Sequence, residues 1–110
     1  MAPPSNSEFR ASLERQILRW LCAQGNAEVG ALRVRQKLEA YSWRDADNRV
    51  VFESLTRLAS GLTPAQVGEQ LPAQATRMGF PDVNWENYLG HNETSEHDIH
   101  EMLEQLLAAD

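Results

Sequence analysis

The chain has 110 residues, 42% of them apolar, with one cysteine and a formal net charge of −6. A chain of that size buries roughly two-thirds of its unfolded surface without disulfides or structural metal, so a single self-folding domain is predicted and a disulfide-stapled mini-protein is excluded. The acidity argues against duplex DNA as a main partner, because phosphate binding rests on Lys and Arg that displace counterions.

Residues 1–6 read as a short disordered Pro/Ser tail ahead of one helical domain over 7–110. The opening MAPPSNSEF has neither a basic nor an apolar signal region, and no apolar run reaches the roughly 18 residues of a bilayer span. A cytoplasmic, non-membrane protein is expected. Ser5 and Glu8 have capping-box spacing and open a first helix. Phe9, Leu13, Ile17, Trp20 and Leu21 recur at three- and four-residue steps and define its apolar face, and Gly25-Asn26 ends it. Cys22 lies within the apolar pattern without a partner, which fits a reducing compartment and a buried, inert thiol.

A second helix is expected over 28–40, with Val34, Leu38 and Tyr41 inward and Gly30 weakening its start. Ser42, Asp45 and Asp47 are alternative caps for a third helix, whose stripe is Val51, Phe52, Leu55, Leu58 and Ala59 and whose stop is Gly61. Thr63, Pro64 and Gln66 open a fourth, which Leu71-Pro72 should break or kink. Gly79 and Pro81 close the piece that follows. Residues 82–89 read as a short helical turn carrying Val83, Trp85, Tyr88 and Leu89. Thr94 or Ser95 caps a last helix with Ile99, Met102, Leu103, Leu106 and Leu107 on one face. With no alternating β-branched strand and no repeat, the fold class is all-α, a compact bundle of five to six short helices.

Charge divides the chain. Residues 80–110 hold eight acidic groups and no Lys or Arg, whereas residues 1–79 hold ten basic and eight acidic groups, a balance of +2. The acidic region either docks on Arg10, Arg15, Arg19, Arg33, Arg35 or Lys37 of the same molecule or meets a basic partner.

Catalytic signatures are missing from the inventory. There is no GxSxG, glycine-rich phosphate loop or GKS/GKT motif, and no cofactor is expected. His91, His97 and His100, among Glu93, Glu96, Asp98 and Glu101, are the residues whose types suit a metal, but the spacing matches no zinc signature and solvated histidines are the simpler reading. LTPAQVGEQL resembles the first helix of a helix-turn-helix, so a DNA-binding regulator built on residues 62–80 is the alternative function. The turn glycine and basic recognition helix of that motif are missing, and Arg77 is the one cation placed to touch phosphate. Trp43, between Ser42 and Arg44 at a helix junction, either plugs the core or anchors a partner. Trp85 and Tyr88 would form an interaction patch if uncovered, and Glu101 and Glu104 offer an acidic face. The expected function is therefore non-enzymatic protein interaction, with a protein partner or a second copy.

Residues 13–61 resemble the N-terminal domain of bacterial replicative DNA helicases and the related helicase-binding domain of primase. The similarity lies in an opening helix of the LERQILRWL kind, a middle helix ending in KLEAYSW, and DNRVVFESLTRLASG, with an apolar-Phe pair ahead of a Leu. Those domains are small helical bundles that bind protein and carry no catalytic residues. The resemblance implies a protein-binding module with Phe52 and Leu55 in its core, and a setting in replication. TRMGFPDVNWENYLG has no counterpart there.

Overall fold

In the computed structural model, which describes residues 6–25, 28–90 and 94–109, five α-helices and one 3-10 turn follow in order. They are α1 (Asn6–Gln24), α2 (Val29–Leu38), α3 (Ala46–Arg57), α4 (Pro64–Arg77), the 3-10 turn Trp85–Asn87, and α5 (Glu96–Ala109). No strand occurs among the described residues, and the all-α expectation holds.

The first helix is the axis of the bundle, packing on each of the other four. Its sequence explains why: Leu13, Glu14, Ile17, Leu18, Trp20, Leu21 and Cys22 are all buried, a face wide enough to meet neighbours on several sides. Phe9, expected on that face, is 53% exposed. Between Glu8 and Ser12 no side chain is fully buried, and the buried face starts at Leu13. The last helix contributes Ile99, Leu103 and Leu106 to the interior and rests on α1 and α2. These are the helices that carry the cations expected to receive it, and the residues that α5 buries there are apolar. The Glu96 carboxylate fills the space where Gly30 lacks a side chain, so that glycine serves the α2–α5 approach besides weakening a helix start.

Helix ends follow local chemistry. Asp45 caps α3 by accepting from the Asn48 amide at 3.0 Å, and Thr63 and Gln66 form a reciprocal capping box on α4. Ser95 caps α5, accepting from Asp98 N–H at 3.1 Å. Ser5, the expected cap of α1, lies outside the described residues. Gly25 follows α1 with φ +77, and a Cβ there would stand 2.8 Å from the Leu62 carbonyl oxygen and 2.9 Å from Pro64 N. Only glycine meets both demands, so the α3–α4 connection can cross the end of α1.

One expectation is corrected in the middle of the chain and a second is narrowed. The third helix ends at Arg57, ahead of Gly61: Leu58 is already extended, with φ −76 and ψ 153, and Ala59 is exposed. Pro72 does not break α4, which runs through it to Arg77. Proline there removes one helical N–H donor and crowds the carbonyl of Gly68, four residues earlier, and the helix continues despite both costs. A Schellman turn stops α4 instead, with Phe80 N–H donating to Ala75 O at 2.9 Å and Gly79 N–H to Thr76 O at 3.0 Å. Residues 62–80 therefore contain one helix, and the helix pair of a helix-turn-helix is not formed.

Candidate protein-binding face and the buried carboxylate beneath it

Glu14 has no exposed surface, yet it is an acidic residue in the middle of the apolar face of α1. An unpartnered carboxylate there would cost many kcal/mol. Both oxygens are instead occupied by donors from elsewhere in the chain. Oε2 accepts from the Tyr41 hydroxyl at 2.6 Å and from Arg44 N–H at 2.8 Å. Oε1 accepts from Asn48 Nδ2 at 3.0 Å and from Asp45 N–H at 3.3 Å. Four donors match the four lone-pair positions of the group.

Asn48, also fully buried, extends the network. Its Nδ2 donates a second bond to the Ala11 carbonyl at 3.1 Å, and its Oδ1 accepts from the Tyr88 hydroxyl at 2.6 Å. Burial pushes the Tyr88 phenol up to about 12, the Asp45 and Asp47 carboxylates add to the shift, and Arg15 opposes it. Saturated and closed to solvent, Glu14 is placed to hold backbone rather than to meet a substrate. What it holds is the loop between α2 and α3: three of its four donors belong to residues 41–45.

Trp43 stands in that loop, half-buried. Its ring packs edge-on against Tyr41 at 5.1 Å between centroids and tilted against Phe52 at 4.9 Å. Shallow grooves open on both sides of it. One, of about 400 Å3, lies over Ser42, Phe52 and Thr56; the other, of about 380 Å3, lies over Ala46, Val50 and Phe80. Trp43, Arg49 and Glu53 line both. Arg49 and Glu53 pair across one helical turn at 3.2 Å, on the surface. Phe80 is 47% exposed because the Schellman turn carries it out of α4, and it forms the far wall of the second groove. Arg35 steadies the other end of α3 by donating to the Leu55 carbonyl at 3.3 Å. Burial lowers its pKa, with Glu39 opposing.

The other expected sites fare differently. Trp85 is half-buried and touches Tyr88 with ring centroids 6.1 Å apart. Tyr88 itself is 2% exposed, which corrects its assignment to a surface patch: its hydroxyl is required inside by Asn48. Glu101 and Glu104 are exposed on α5, and Glu101 pairs with His97 on its own helix at 3.3 Å. His97 is exposed, His100 is half-buried, and His91 lies outside the described residues. Among the described residues no three His, Cys, Asp or Glu side chains converge on a metal position. The Cys22 thiol is buried, and desolvation pushes it up to about 12. No described helix is long and apolar enough to cross a membrane.

Sequence reasoning missed Glu14, Asn48 and Phe80. A signal existed for the first two. Glu14 is four and seven residues before Leu18 and Leu21, and Asn48 is four and seven before Phe52 and Leu55, so each polar residue occupies a core position of its helix. No protein-family model, curated protein or solved structure matches the chain.

Proposed function

We propose that this chain is a non-enzymatic helical protein-interaction module, and that it engages its partner through the Trp43 and Phe80 face. The observation that carries the reading is the groove between those two rings. A half-exposed phenylalanine and a half-buried tryptophan flank Val50, with Arg44 and Arg49 beside them. Aromatic and arginine side chains dominate interface energetics, and an anchor already held in place loses little conformational entropy on binding. Glu14 supplies that hold through the loop that carries Trp43. The occupant that suits the groove is an apolar side chain presented by a protein partner. Residues 13–61, which resemble the N-terminal domain of replicative helicases and the helicase-binding domain of primase, include Glu14, Tyr41, Asn48 and Trp43, and this likeness supports a partner in replication as the biological setting.

The test places a photo-crosslinking residue at Phe80 and, separately, at Glu104 on α5, in cells that make the protein. A discrete adduct from position 80 is expected, competed away by excess wild-type protein but not by a Val50→Glu variant. A Val50→Glu variant that competes equally well, or adducts from position 104 alone, would reject this face.

A further inference from the structure

The polar groups around Glu14 link two surface segments that are distant in sequence, the 41–45 loop and the 3-10 turn at Trp85–Asn87. The path is continuous. The Tyr88 hydroxyl donates to Asn48 Oδ1, Asn48 Nδ2 donates to Glu14 Oε1, and Glu14 Oε2 holds the Tyr41 hydroxyl and the Arg44 amide. The carboxamide of Asn48 is fixed in one orientation. Its nitrogen has two acceptors, Ala11 O and Glu14 Oε1, and its oxygen has one donor, Tyr88, so reversing it breaks the first two bonds together and forces the Tyr88 hydroxyl to turn from donating to accepting.

We infer that this relay is a conformational device that makes the placement of the Trp43 loop depend on docking of the Trp85–Tyr88 segment. When Tyr88 leaves, Asn48 Oδ1 remains buried without its donor, a state that folded proteins avoid. Turning the carboxamide toward water admitted at the vacated position satisfies the oxygen. The same turn takes Nδ2 away from Glu14. The carboxylate then loses one of its four donors and the constraint that aligns it with the Arg44 and Asp45 amides. Bonds in such a network reinforce one another, so the loss at one end is felt at the other. Trp85 is the handle: it is half-buried, partly accessible, and in ring contact with Tyr88. A ligand that displaces Trp85 would loosen Trp43, and one that seals Trp85 down would tighten it.

The device bears on the face proposed above, but it is measured without any partner. The experiment is amide hydrogen exchange by NMR on the full chain, comparing wild type with Tyr88→Phe, which keeps the ring and removes the hydroxyl. Leu106→Ala is the control, because it weakens the core at α5 and removes no hydrogen-bonding group of the relay. In Tyr88→Phe, exchange at the Arg44 and Asp45 amides is expected to rise at least tenfold more than at α5 amides such as Leu103, and the Trp43 indole resonance should shift. In Leu106→Ala no such preference is expected. Should Tyr88→Phe fold poorly, Trp85→Ala loosens the same segment while leaving every group of the relay in place, and the same two amides should respond. Unchanged protection at Arg44 and Asp45, or an equal rise throughout both variants, would overturn the inference. Either result leaves the partner reading intact, since that is decided by cross-linking from position 80.

Discussion

Glu14→Gln is the substitution that most sharply tests the buried network, because it keeps the size and shape of the side chain while converting one oxygen into an NH2 group. With the amide nitrogen at the Oε2 position, the Tyr41 hydroxyl can reverse and accept, but the Arg44 backbone N–H then faces another donor. With the nitrogen at the Oε1 position, the Asp45 N–H is orphaned, and Asn48 can adapt only by abandoning Ala11 and reversing the Tyr88 hydroxyl. Each orientation loses one or two hydrogen bonds to a charged acceptor at about 1.5–3 kcal/mol apiece, so a destabilisation of about 3 kcal/mol is expected. For a domain of this size that corresponds to a fall in Tm on the order of 15 °C. The assay is urea unfolding followed by far-ultraviolet circular dichroism, with the slope m unchanged. A change below about 0.5 kcal/mol, or a stabilisation, would refute the reasoning, since exposed substitutions fall in that range.

Other predictions follow from single features. Stability should fall above pH 9 by about 1.4 kcal/mol per pH unit for each proton that the folded state retains and the unfolded state has lost. Cys22, with its thiol raised from 9.0 to about 12, starts the decline near pH 9, and Tyr88, raised from 10.0 to about 12, steepens it above pH 10. In Cys22→Ala the decline should begin only near pH 10, as followed by urea midpoints across the pH series. Gly25→Ala should destabilise by about 2 kcal/mol or more, because a Cβ meets the Leu62 carbonyl and the left-handed conformation is strained; an unchanged midpoint would contradict the crossing described. Pro72→Ala should raise Tm, since an interior proline costs about 3 kcal/mol and part of that returns with the missing N–H, offset by a freer unfolded chain.

The regular parts of the fold were legible because each depends on neighbours in sequence. The stripe Ile99, Leu103, Leu106 on α5, the Thr63 and Gln66 box and the Ser95 cap need only residues within two turns to be recognised. The buried network was not legible in that way. Tyr41 and Asn48 reach Glu14 across 27 and 34 residues, and Tyr88 reaches Asn48 across 40. A glutamate in an apolar stripe is ordinarily read as solvated, and its burial is explained only by donors that the tertiary fold delivers. Trp43 was singled out by its position at a helix junction, whereas Phe80 was not. Its exposure follows from how a Schellman turn leaves the end of α4, a detail that periodicity does not carry. Tyr88 was a patch candidate only on the condition that it stayed uncovered, and a buried acceptor, Asn48 Oδ1, draws its hydroxyl inside.

The claim on which the functional account rests is that a carboxylate inside α1 grips the backbone of the loop presenting Trp43. It is tested most directly by NMR scalar coupling transmitted through a hydrogen bond, from the Arg44 amide nitrogen to the side-chain carboxyl carbon of Glu14. The 2.8 Å contact predicts a resolved correlation between those two nuclei, together with slow exchange of the Arg44 amide. Absence of the correlation, with that amide exchanging as fast as one in an unstructured peptide, would contradict the account.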